Sequence, residues 1–159
     1  MEKEIENLIR NLSFFKVIPN QLFSKIKENI ILETFDSGER LIDPSLIPNK
    51  ISFIVSGDVR SIYEDNSGIY TLEKASYGFP IGVVSHIRKK GCENVFTSSE
   101  VNLVSISDQL FFEIFDQCNE FKNLILNQIY YSEIIDLLNH SHYFNHNELN
   151  SYDLYLKLK

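Results

Sequence analysis

Apolar residues recur along this chain in two rhythms. From Met1 to Ile30 they return at helical steps. Ile5, Leu8, Ile9 and Leu12 share one face, Pro19 interrupts, and Leu22, Phe23, Ile26 and Ile30 form a second face behind Asn20, a residue suited to capping. From Ile31 onward each apolar segment is too short for a helix and ends at Gly, Asn, Asp or Pro. ILETF precedes Asp36-Ser37-Gly38-Glu39, ISFIVS precedes Gly57-Asp58, and VRSIY and IYTLEK flank Asn66-Ser67-Gly68. ASYGFPIGVVS and GCENVFTSSEV follow. The pattern predicts a mainly β domain: an antiparallel roll of about eight short strands with flanking helices, turning at Gly57-Asp58 as a two-residue hairpin. Helical steps resume behind Ser107, an N-cap for DQLFFEIFDQ. They continue after Asn119 as one long helix with Phe121, Leu124, Ile125, Tyr131, Ile135 and Leu138 in its stripe.

The resulting division is 1–30 N-terminal helices, 31–106 β-roll, 107–139 C-terminal helices, and 140–159 a polar, loosely ordered tail with a short helix near Leu154–Leu158. Five of the six glycines lie between Lys50 and Val101, which agrees with a turn-rich middle and helical flanks.

A chain of 159 residues, 43% hydrophobic with 12 Phe and 8 Tyr, suffices for one domain with a real core. The net charge of −7 matters more. Duplex binding needs clustered positive charge, and the densest basic run is Arg88-Lys89-Lys90, short enough to be a solvated hairpin tip, so nucleic acid is not an expected partner. Cys92 and Cys118 fall in different elements and suit a reducing compartment. No apolar run is long enough to span a bilayer, and the N-terminus lacks a signal-peptide core. The expected location is cytoplasmic.

Candidate chemistry concentrates between residues 78 and 98. FDSGERLI, ISFIVSGDV and the Ile81-Gly82-Val83 … Gly91-Cys92 segment together resemble the cyclic nucleotide-binding domain family. That family's phosphate-binding cassette is a short helix preceded by Phe-Gly-Glu and followed by Pro-Arg. The resemblance implies that helix amides and the arginine hold the cyclic phosphate, while the glutamate accepts from the ribose hydroxyl. Here Val83 stands for the glutamate and Cys92 for the arginine. Gly82 is retained. A missing charge-assisted contact removes about 1.5–3 kcal/mol, and two such losses reduce affinity by about a hundred-fold or more. The resemblance thus implies a regulatory domain with a remnant pocket lined by Gly82, Val83, Val84, Arg88, Cys92, Glu93 and Asn94. Cyclic nucleotide binding in the usual way is not expected. Arg88, just before the vacant arginine position, could still reach a small anion from the other side of the loop.

A narrower resemblance rests on GFPIGVVSHIRKKGCENVFTSSEVNLVSI and EIIDLLN…DLYLKL. These segments are similar to N-terminal cyclic-nucleotide-domain-like regions of cyanobacterial ATP-driven exporters of the bacteriocin or toxin type. The pattern carrying the likeness is Ile81-Gly82 … Arg88 … Cys92-Glu93. It implies a soluble accessory or docking domain of a transporter.

Other constellations carry less. His140, His142 and His146 do not share one side of a helix, so no metal site is expected. Cys92 and His86 lack an orienting partner, and Cys92 reads better as a pocket-lining thiol than as a nucleophile. No catalytic residue and no cofactor are expected. Two other classes fit the sequence less well. A catabolite-activator-type regulator would need a helix-turn-helix module after the long helix. A metal-dependent barrel enzyme would need several histidines inside the roll. The partners left open are a nucleotide or small anion in the pocket, and a protein or second copy on the long C-terminal helix.

Overall fold

The residues between Ile31 and Ser107 form eight short strands around one short helix, in keeping with the expected roll. The computed structural model describes residues 2–66, 68–140, 152, 155 and 156. Its elements are α1 (Glu2–Asn11), α2 (Ser13–Lys16), α3 (Asn20–Asn29), β1 (Ile31–Phe35), β2 (Arg40–Ile42), β3 (Lys50–Ser56), β4 (Val59–Asp65), β5 (Gly68–Ala75), β6 (Pro80–Ile81), α4 (Val83–Arg88), β7 (Val95–Thr97), β8 (Val101–Ser107), α5 (Asp108–Gln117), α6 (Asn119–Leu126) and α7 (Tyr131–His140). The strands form two antiparallel four-stranded sheets in the orders β1-β8-β3-β6 and β2-β7-β4-β5.

Alternation along β3 and β8 sets the layers, because successive side chains point to opposite faces of a sheet. Ile51, Phe53, Val104 and Ile106 face outward and pack with Ile9, Leu12, Phe15, Phe23, Phe111 and Phe121 from the helices. Ile54, Val101 and Leu103 face inward and meet Ile42, Val59, Ala75 and Val95 of the other sheet. Phe53 is fully buried, with its ring centroid 5.9 Å from that of Phe14 and 4.6 Å from that of Phe15. Burying one such side chain contributes about 1.5–3 kcal/mol. Ser107 caps α5, its hydroxyl accepting from the Leu110 amide at 3.2 Å.

Three local expectations are corrected. Gly57-Asp58 does not close a hairpin, because β3 and β4 belong to different sheets. Gly57 has φ +82°, and a Cβ there would stand 2.1 Å from the Glu100 carbonyl oxygen. The glycine thus lets the chain cross between sheets against the 98–101 segment, where the Asp58 amide donates to Ser99 Oγ at 2.9 Å. The β4–β5 connection is the hairpin expected from its sequence, pairing Asp65 with Gly68.

The single long C-terminal helix is in fact two, α6 and α7. Tyr130, in the break, is buried with its ring edge-on to Phe79 at 5.9 Å and its hydroxyl donating to the Ile125 carbonyl at 3.3 Å. Seating that ring turns the chain. Phe121 and Ile125 of α6 then pack on the main core. Ile135 and Leu138 of α7 instead join Leu72 and Tyr155 in a separate cluster.

Third, Arg88-Lys89-Lys90 is not a hairpin tip but the end of α4. Lys89 takes the left-handed conformation (φ +54°) that ends the helix, and the Lys90 amide returns to the Ser85 carbonyl at 3.0 Å. Of the segment read as a polar tail, Tyr155 is buried and its hydroxyl donates to the Leu72 carbonyl at 2.7 Å. His142, His146 and Leu158 lie outside the described residues. Among the described residues no helix is long and apolar enough to cross a membrane.

Candidate functional site

The short helix α4 sits between β6 and β7, where the cassette is expected. Gly82 opens it with φ +89°, its absent Cβ only 3.0 Å from the Lys50 carbonyl. No alanine would enter that conformation without strain. Val83 and Val84 are fully buried and turn into the core against the helices rather than toward a ligand.

The amides that begin α4 are already occupied. Glu93, only 4% exposed, folds back so that its Oε1 accepts from the Gly82 amide and its Oε2 from the Ser85 amide, both at 2.9 Å. Among the described residues no cation pairs with it. Burial pushes its carboxyl above the ordinary glutamate range, and the bonds from the Ser85, Gly82 and Val84 positions oppose that in part. An incoming anion would have to displace this carboxyl group to reach those amides.

Cys92 is half-buried beside it. Its amide donates to Ser85 Oγ at 3.4 Å, with the two side chains 3.9 Å apart. Burial pushes the thiol up to about 11, with the Glu93 and Asp136 carboxyls adding to the effect, so at neutral pH it is neither a cation nor a thiolate. No hydrogen bond joins His86 to Cys92, whose partner is Ser85. His86 is buried edge-on to Phe112 at 5.9 Å, Nε2 lacks a partner among the described residues, and burial lowers its pKa. The pairing a nucleophilic thiol would require is not formed.

Arg88 is engaged by a residue that sequence reasoning missed. Asp136 of α7, 7% exposed in its side chain, takes Arg88 Nη2 at 3.1 Å on Oδ2 and Lys90 Nζ at 2.7 Å on Oδ1. His140 closes the group: Nδ1 lies 2.8 Å from the Asp136 carbonyl, and Nε2 lies 3.1 Å from Lys90 Nζ. The available signal was Asp136 inside the apolar stripe of α7, four residues from both Ser132 and His140.

Between this cluster and the outer face of β4–β5 lies a cleft of about 330 Å³. Its walls include Ile62, Tyr63, Leu72, Gly91, Cys92, Asn94, Ile135 and Asn139. Asn94 is buried, and its Oδ1 has no partner among the described residues. Arg40, on the rim, pairs with Asp43 at 3.0 Å. The structure therefore gathers Gly82, Arg88, Cys92, Glu93 and Asn94 around one helix and one cleft, and sends Val83 and Val84 into the core. Among the described residues no group of three or more His, Cys, Asp or Glu is placed to hold a metal ion.

No protein-family model matches the chain, and no curated protein matches it. Solved structures do match. The regulatory subunit of a cAMP-independent protein kinase A from Trypanosoma brucei superposes with a TM-score of 0.73 at 12% identity, over 88% of this chain and 52% of that one. The corresponding subunit from Trypanosoma cruzi, bound to guanosine, gives 0.72 at 16% identity, over 87% and 49%. A triple mutant of the Trypanosoma brucei subunit bound to cAMP in its A site gives 0.63 at 16% identity, over 99% and 52%. The fold is thus that of cyclic nucleotide-binding domains, and the chain spans about half the length of these neighbours.

Proposed function

We propose that this chain is a non-catalytic regulatory or interaction domain of the cyclic nucleotide-binding type whose cassette does not take cAMP or cGMP in the usual way. One observation carries the reading: the Glu93 carboxyl group fills the amides at the start of α4, where a phosphate would need to sit. Two others agree with it. Cys92 supplies no charge at the arginine position, and both cations at the end of α4 already face Asp136. A cyclic phosphate would meet an occupied anion seat and, at the end of α4, a guanidinium already engaged by Asp136. The pattern Ile81-Gly82 … Arg88 … Cys92-Glu93 supports a setting as the cytosolic accessory part of an ATP-driven exporter.

Titration calorimetry with cAMP tests the ligand side of this reading. The wild type is expected to show no binding at micromolar concentrations. Cys92→Arg combined with Glu93→Ala restores a charge-assisted contact of about 1.5–3 kcal/mol and frees the amides, so affinity should rise by about ten-fold or more. One of the three substitutions in the Trypanosoma brucei mutant bound to cAMP likewise introduces an arginine. Micromolar cAMP affinity in the wild type would overturn the reading.

A further inference from the structure

We infer that Asp136 is an internal latch, holding α7 shut across the cassette and the cleft without any ligand. This rests on the proposed function and names the regulation of the same site. A carboxylate at 7% side-chain exposure, one residue from buried Ile135, costs several kcal/mol to desolvate unless it is paired. Packing through Ile135 and Leu138 would hold α7 more simply if adhesion were all that mattered. An acid in that stripe instead fixes position. Its carboxylate takes Arg88 and Lys90, with His140 Nδ1 of its own helix 3.4 Å from Oδ1, and the two cations from the end of α4 tie α7 to it in one register.

At the end of α4, Arg88 and Lys90 both face α7. Here an aspartate of the same chain makes the bridge, and Glu93 fills the seat at the other end of α4. The closed arrangement is therefore the resting state, and opening requires Asp136 to leave its two cations. Cys92 stands in the cleft wall beneath α7, whereas Cys118 is buried elsewhere, its thiol directed to the Val17 carbonyl at 3.5 Å.

Those two thiols supply the experiment. In the full chain, alkylation of Cys92 and Cys118 by iodoacetamide is followed by mass spectrometry at pH 8 for the wild type, Asp136→Asn and Lys90→Gln. Asp136→Asn should speed labelling of Cys92 at least five-fold, and Lys90→Gln, an exposed and milder change, by a smaller factor. Cys118 should keep its wild-type rate in both. Loss of the Asp136 charge by itself eases ionisation of Cys92, whereas loss of Lys90 hinders it, so the Lys90→Gln rate decides: a Cys92 rate there that is unchanged or slower overturns the latch. So does acceleration of both thiols together in Lys90→Gln, which marks general loosening instead of opening at α7. A parallel wild-type arm with cAMP separates the two proposals: protection of Cys92 would overturn the non-nucleotide reading, while the latch is judged on the variants alone.

Discussion

Replacing Glu93 with glutamine changes one oxygen for an amide nitrogen at a group that accepts two main-chain bonds. Both Glu93 oxygens take an amide N–H at 2.9 Å, and glutamine can accept only one of these. The other N–H would then face the glutamine NH₂, leaving a buried donor without an acceptor at a cost of about 1–3 kcal/mol. The size of that cost should depend on pH. Burial raises the folded pKa of Glu93 above its ordinary value of 4.5, so above that pH the unfolded chain releases its proton while the folded protein still holds it. Stability from this group is complete below 4.5 and declines as pH rises toward the folded pKa, by at most about 1.4 kcal/mol per pH unit. Glutamine does not titrate. Urea unfolding of the two proteins from pH 4.5 to 8 should therefore show the wild type ahead at the acid end, with its lead shrinking as pH rises. The pH at which the lead stops shrinking marks the folded pKa. A gap that stays constant, or widens with pH, would refute the placement of Glu93 as a buried carboxyl with depressed acidity.

Two further outcomes follow from the same packing. His86 is kept neutral by burial, so its contribution is whole above about pH 6.5 and is lost on acidification as the unfolded imidazole takes up a proton first. His86→Leu should flatten the stability profile below about pH 6.5 in urea titrations referenced to the wild type. Phe53→Ala should cost about 3–5 kcal/mol in the same assay at neutral pH, because it empties the contact with Phe14 and Phe15; a loss below about 1 kcal/mol would contradict the buried packing of β3.

The roll was legible because its signals are local. Glycine, asparagine and proline punctuate the strands, and alternation in ISFIVS and VNLVSIS marks the faces. What was not legible depends on long returns of the chain. Gly57-Asp58 has hairpin composition, but only the 98–101 segment running beside it shows that it crosses between sheets. The stripe from Phe121 to Leu138 keeps helical spacing through Tyr131, and nothing in that spacing reveals that Phe79 seats Tyr130 and turns the chain. The cassette positions are an expectation carried by resemblance. Their chemistry, however, is decided by Glu93 bending back eleven positions to Gly82 and by Asp136 meeting Arg88 across forty-eight. Neither contact leaves a periodic trace.

The break at Tyr130 gives α7 a mechanical character. With a rise of about 1.5 Å per residue, Asp136 rides about 9 Å from that pivot, so a tilt of about 10° carries it about 1.5 Å. A displacement of that size lengthens the 2.7 Å and 3.1 Å contacts beyond hydrogen-bonding range together. On the latch proposal, a small tilt at that break would part both contacts at once.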